Sequence, residues 1–140
     1  MVDFLSPEGR SERMSRIRGH DTKPELVLRR LLHGMGLRYR LHNPVLPGRP
    51  DLTFPKHGAV VFIHGCFWHR HRSCKVATTP KSNTDFWQTK FTRNVERDAQ
   101  AEAALRRMGW RVKVVWECEL SAKARALETA KRVRAWIVRK

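Results

Sequence analysis

The apolar run Ala59-Val60-Val61-Phe62-Ile63 leads into Gly65-Cys66-Phe67-Trp68-His69-Arg70-His71-Arg72-Ser73-Cys74, and this junction constrains the chain more than any other stretch. A short continuous apolar run bounded by turn residues reads as a buried strand. Whatever sheet contains that strand must release two thiols, two imidazoles and two large aromatic rings at one of its ends. His64 adds a further nitrogen base at the same place. A globular core gains little from such a group unless a metal ion organises it.

The elements on either side follow from pattern. Residues 1–20 are polar and basic and read as an arm, with a short helix around Ser11 to Arg18. A helix follows: Thr22 caps it, Pro24 suits its first turn, and Val27, Leu28, Leu31, Leu32 and Met35 form one apolar stripe. Gly34 and Gly36 end it. Leu37 to His42 reads as a strand. Asn43-Pro44 and Pro47-Gly48-Arg49-Pro50 are turns, Asp51 to Phe54 is a second strand, and Lys56-His57-Gly58 turns the chain into the third. Residues 64–84 read as loop, and a long helix is expected from about Asp85 to Met108, stopped by Gly109. Trp110 to Trp116 alternates as a fourth strand, with Trp110, Val112, Val114 and Trp116 on one face; a last helix spans Ala122 to Val138. This order predicts an α/β sandwich, a mixed central sheet flanked by helices, with residues 21–140 as a single domain.

Charge narrows the partner. Lys and Arg number 29 against 13 Asp and Glu, a net charge of +16 over 140 residues. Such a field suits a polyanion, and nucleic acid before a membrane surface. No apolar run approaches the roughly 20 residues of a membrane helix, and the N-terminus lacks the pattern of a secretory signal. A soluble cytoplasmic protein is the expectation.

The three cysteines, Cys66, Cys74 and Cys118, are an odd set for a disulfide framework. Three thiolates and one imidazole complete a tetrahedral Zn²⁺ site. His71 fits the spacing, and His69 and His64 are alternatives; buried, unliganded thiols are the plain reading. Asp51 lies where the hairpin brings it near Ile63 and His64, as a hard oxygen ligand for Mg²⁺ or simply as a turn residue. On the long helix Phe91, Val95, Asp98, Ala101 and Leu105 share a side. A carboxylate in that stripe needs a partner: His69, or an arginine such as Arg97 or Arg93. Glu25, in a first helical turn, reads as a match to the helix dipole. Phe67-Trp68 and Phe86-Trp87 are adjacent aromatic pairs in basic surroundings, able to wedge between base pairs. Phe86 is expected to fill the core instead, and Phe67 is open to either role. Met14 is a small wedge on the arm or a packing residue.

Together these residues resemble the very-short-patch mismatch repair endonucleases over nearly the whole chain. The resemblance is carried by Met14-Ser15-Arg16-Ile17-Arg18, Asp21-Thr22-Lys23-Pro24-Glu25, Arg49-Pro50-Asp51, Phe62 to His69, Asn94-Val95-Glu96-Arg97-Asp98, and Gly109-Trp110-Arg111-Val112 continuing to Val115-Trp116-Glu117-Cys118. It implies a restriction-endonuclease-like core and a monomer that nicks DNA on the 5′ side of the T in a T·G mismatch left by deamination of 5-methylcytosine. It further implies Asp51 as the Mg²⁺ ligand with the Ile63 carbonyl, His69 as the base that activates water, Asp98 orienting His69, and Glu25 and His64 completing the site. Cys66, His71, Cys74 and Cys118 would hold structural Zn²⁺. Phe67, Trp68 and Trp87 would intercalate from one groove, with Met14 and the arm closing from the other, and accessory repair proteins are among the implied partners. Two rival readings are a restriction-system nicking enzyme acting on intact sites and a non-catalytic zinc module that binds DNA.

Overall fold

The computed structural model describes residues 22–71, 74 and 81–139. The arm over residues 1–20, its expected helix and Met14 lie outside the described residues. Helix α1 (Lys23–Gly34) is followed by strands β1 (Arg40–Leu41), β2 (Leu52–Phe54) and β3 (Ala59–His64). Then come the long helix α2 (Thr84–Arg107), strand β4 (Arg111–Trp116) and helix α3 (Lys123–Val138). Among the described residues these strands form one mixed sheet in the order β1-β2-β3-β4, antiparallel except for the parallel β3–β4 pair.

Alternation along β3 divides the core. Ala59 and Val61 join Leu52, Phe54 and Val115 on one face, where Leu28 and Leu32 of α1 and Ala130, Val133 and Ile137 of α3 cover them. Val60 and Phe62 point to the other face and pack with Leu46 and with Leu105 of α2. All five strand residues named on the first face, from β2, β3 and β4, are withdrawn from water, as a strand covered on both sides requires. Helices therefore lie on both faces of the sheet, and each buried Leu or Val contributes roughly 1.5–3 kcal/mol.

The expected order of elements matches the structure, with local corrections. Thr22 occupies the N-cap of α1, but its side chain makes no capping hydrogen bond. The strand expected over Leu37–His42 pairs only at Arg40 and Leu41, because Leu37 turns into the α1 core instead. Val95 is 44% exposed rather than part of the inward stripe of α2. That stripe runs Trp87, Phe91, Asn94, Asp98, Ala101 and Leu105, alternating steps of four and three, and so passes beside Val95. The face expected for β4 holds for Trp110, Val112 and Val114, which pack toward the α2 side.

The end of the sheet where β4 begins is closed by Arg111. Its guanidinium donates to the carbonyls of Trp136 (2.8 Å), Ile137 (2.7 Å) and His57 (3.0 Å) and lies over the Trp136 ring. A cation there also meets the negative end of the α3 dipole.

Helix α2 approaches the sheet closely at Gly48. This residue has φ +75°, and a Cβ on it would sit 2.6 Å from the Ala101 Cβ and 3.2 Å from the Phe62 ring. Gly48→Ala should therefore push α2 outward and lower stability by about 1–3 kcal/mol. Urea unfolding measures this, and an unchanged midpoint would show that α2 is free to shift at that contact.

Candidate active site

The parallel register of β3 and β4 sets His64 opposite Trp116. Both strands therefore end side by side, and the segments leaving them meet at one edge, where open α/β sheets carry their sites. The loop after β3 is tied to the end of β4 by the Cys66 N–H, which donates to Glu117 Oε1 at 2.8 Å.

Two clusters grow from this edge. In the first, Cys66, His71, Cys74 and Cys118 bring their ligand atoms within 4.8 Å of one another. His71 Nδ1 stands 3.5 Å from both the Cys66 and the Cys118 sulfur. A tetrahedral ion with Zn–S of about 2.3 Å and Zn–N of about 2.0 Å sets S and N about 3.5 Å apart, so the nest fits a metal of that size. The His71 ring is stacked on Trp116 with centroids 4.2 Å apart, which fixes its plane. Burial pushes the Cys66 thiol up to about 12, and the crowding of Cys74 and Cys118 adds to the rise. Without a cation between them, these sulfurs resist becoming thiolates together. His71 is the imidazole that completes this nest; His64 and His69 belong elsewhere.

The second cluster lines a cleft of about 220 Å³ walled by Asp51, Ile63, His64, His69, Asp98 and Arg97. His69 Nδ1 lies 2.6 Å from Asp98 Oδ2. The carboxylate accepts, so Nδ1 carries the hydrogen and Nε2 is left as the base. Asp98 thus pairs with His69 rather than with Arg93 or Arg97. His64 stacks on His69 with centroids 3.9 Å apart and planes 8° from parallel. Burial pushes His64 down to about 3, and the neighbouring His69 pushes the same way while Asp98 opposes them. His64 is therefore neutral near pH 7 and sets no positive charge against the His69 ring.

Asp51 precedes β2 and accepts the Ile63 N–H at 2.7 Å through Oδ2. Burial of its carboxyl group pushes it up to about 7; the Ile63 N–H opposes this, and the adjacent Glu25 carboxyl adds to it. Glu25 is 1% exposed and receives Arg29 Nη1 at 2.9 Å and His42 Nε2 at 2.6 Å on the same oxygen. The helix-dipole reading of Glu25 is thereby corrected: its side chain lies inside, in a group with His42 and Asp51 whose ligand atoms fall within 4.8 Å. Sequence reasoning missed His42. It ends an expected strand beside Asn43-Pro44, and only the fold brings it to Glu25.

The aromatic residues gather beside the cleft. Phe67 packs edge-on against Trp68 (5.0 Å), Trp87 (5.8 Å) and the buried Phe91 (5.2 Å). The Lys90 ammonium lies 5.6 Å from the Trp68 ring centre. Phe86 corrects the expectation made for it: it is 58% exposed, while Trp87 packs inward. Phe91, four residues on, is the signal that could have assigned Trp87 to the inner face. A groove of about 510 Å³ follows Phe86, Lys90, Arg93 and Arg97 along the outside of α2 and meets the cleft at Asn94.

An imidazole oriented by a half-buried carboxylate, on a chain of net charge +16, fits a hydrolase that works on a polyanion. Comparison with known proteins makes this specific. Residues 2–75 match the family model described as DNA mismatch endonuclease Vsr. The chain is 40% identical to the DNA mismatch endonuclease Vsr of Escherichia coli K12 over 98% of its length and 88% of that protein's. It is 51% identical to the type II nicking enzyme V.XorIIP of Xanthomonas oryzae pv. oryzae, covering 86% and 88% of the two chains. It is also 46% identical to V.NmeAIP of Neisseria meningitidis, a type II nicking enzyme, covering 95% and 94%. The chain belongs to the Vsr family of DNA mismatch endonucleases. No helix among the described residues is long and apolar enough to cross a membrane.

The state of His64 has a measurable consequence. The unfolded chain takes a proton on this residue near pH 6.5, while the folded protein refuses it down to about 3. Its contribution is complete above pH 6.5 and is lost as pH falls below that value. His64→Asn should flatten the acid limb of stability between about pH 4 and 6 by about 1.4 kcal/mol per pH unit. Denaturant melts across that range measure the slope, and a variant slope equal to the parent's would mean that His64 is already charged in the fold.

Proposed function

We propose that the chain is a Mg²⁺-dependent endonuclease of restriction-endonuclease-like core that nicks DNA on the 5′ side of the T in a T·G mismatch. The lesion is the one left by deamination of 5-methylcytosine, and the reaction opens very-short-patch repair. The observation that carries this reading is the His69–Asp98 pair at 2.6 Å in the same cleft as Asp51. Asp51 and the Ile63 carbonyl would hold Mg²⁺, which would supply positive charge against the scissile phosphate. His69 Nε2 takes the proton of the attacking water, and Asp98 holds the ring in the tautomer that allows it. Neutral His64 keeps the ring plane of His69 fixed by stacking. Glu25 completes the acid side of the site. Cys66, His71, Cys74 and Cys118 hold structural Zn²⁺, clamping the loop that carries His69 to the end of β4.

Phe67, Trp68 and Trp87 form one aromatic group on and beside the loop that carries His69, and wedge between base pairs at a cost of a few kcal/mol of unstacking. Met14 and the arm over residues 1–20 close on the other groove, while residues 21–140 form the nuclease domain. The enzyme acts as a monomer in the bacterial cytoplasm, at the nucleoid when bound, with accessory repair proteins as further partners. Since several relatives are named type II nicking enzymes, nicking of intact sites within a restriction system is the second reading.

A panel of end-labelled duplexes with Mg²⁺ separates the two. A T·G duplex should be nicked on the T strand and its matched counterpart left whole; equal cutting of both would favour the second reading. Asp51→Ala should lower nicking by at least about 10³-fold with binding and fold retained, and persistent cleavage would remove Asp51 from the cation site. Cys118→Ser should lower bound zinc, measured by elemental analysis, and destabilise the fold by several kcal/mol. Unchanged metal content would exclude Cys118 as a ligand.

A further inference from the structure

Glu25 and Asp51 come from different parts of the chain, one from α1 and one from the turn before β2, yet their carboxyl oxygens and a His42 ring nitrogen lie within 4.8 Å of one another. His42 is joined to both residues. Its main-chain N–H donates to the Asp51 carbonyl at 3.1 Å, and its ring Nε2 lies 2.6 Å from Glu25 Oε2. That oxygen also accepts from Arg29 Nη1 at 2.9 Å, so it is an acceptor and His42 Nε2 carries the hydrogen. Two N–H donors on one oxygen fix the rotation of a carboxylate that is 1% exposed. His42 also adopts φ +44°, the left-handed region that residues with a Cβ seldom enter. Such a conformation persists where surrounding bonds over-determine it, and it clusters at functional sites.

We propose that His42 is a positioning residue that sets Glu25 against Asp51, so that the cation site is assembled before the ion arrives. The inference rests on the reading of Asp51 as a cation ligand. His42 itself touches neither substrate nor cation in this role. Its main chain sets the height of the Asp51 backbone, and its ring sets the angle of the Glu25 carboxylate. Outer partners of this kind tune the affinity of a metal site without entering it.

The test uses the full chain and Mn²⁺ as a paramagnetic probe, titrated by electron paramagnetic resonance in the absence of DNA. Asn accepts the left-handed backbone but is too short to reach Glu25, whereas Gln can offer an amide N–H at about the reach of the imidazole. His42→Asn should weaken Mn²⁺ binding by about 10-fold or more, and His42→Gln should recover most of the loss. The Mg²⁺ concentration for half-maximal nicking should rise in parallel, while kcat at saturating Mg²⁺ stays within about threefold. In a Glu25→Gln background, His42→Asn should add little further, because the pair acts as a unit.

Wild-type Mn²⁺ affinity in His42→Asn, failure of Gln to recover binding, or multiplicative effects of the two substitutions would each overturn the proposal. Should His42→Asn not fold, His42→Gly deletes the ring while keeping the backbone unstrained, and the same comparison applies to it. Asp51→Ala run alongside tells the two failures apart. If it loses Mn²⁺ while His42→Asn does not, only the role of His42 falls; if it binds Mn²⁺ like the parent, the cation reading falls and the role of His42 with it.

Discussion

Parallel pairing of β3 with β4 is the constraint on which the rest depends. Because both strands run the same way, with His64 opposite Trp116, their exits lie next to each other. Cys66 and Cys118 are remote in sequence and meet only because of this register. So do Glu117 and the Cys66 N–H, and His71 and the Trp116 ring. An antiparallel partner would have sent the second segment to the opposite end of the sheet and left the cysteine nest incomplete. Parallel strands need a crossover, and α2 supplies it. The same helix carries Asp98 to His69, so one topological choice places both clusters.

Charge in the cleft is managed by burial. His64 is kept neutral by its burial, while the stacked ring of His69 is held by the Asp98 carboxylate. On the acid side, Asp51 is held near 7 by burial and by its Glu25 neighbour, so the two acids resist ionising together. A divalent cation relieves that resistance. Arg49 and Arg97 line the same cleft. The cleft thus sets carboxyl groups and guanidinium groups against one another across a small volume.

Much of this was legible in the chain. The β3 run and its Cys/His exit could be read because a fully buried strand leaves no polar alternation, and the order of elements followed from helix and turn chemistry. The Cys66, His71, Cys74 and Cys118 grouping and the His69–Asp98 contact were named from residue chemistry and family resemblance. What escaped was proximity created by packing alone. Glu25 looked like any acid in a first helical turn, and His42 like the end of a strand; nothing local to either stretch signals the other. Phe86 and Trp87 were indistinguishable as a pair, and only the spacing to Phe91 separates them. The path of the α2 stripe through Asn94 rather than Val95 likewise depends on how the helix lies on the sheet. Asn94 uses that position to donate to the Trp68 carbonyl at 3.2 Å.

Arg111 gives the sheet a division of labour. Its three carbonyl contacts anchor the tail of α3 to the end of the sheet opposite the one where the Cys66 and His69 clusters gather. Loss of that anchor would be felt at the opposite end of these two strands from the clusters of Cys66 and His69.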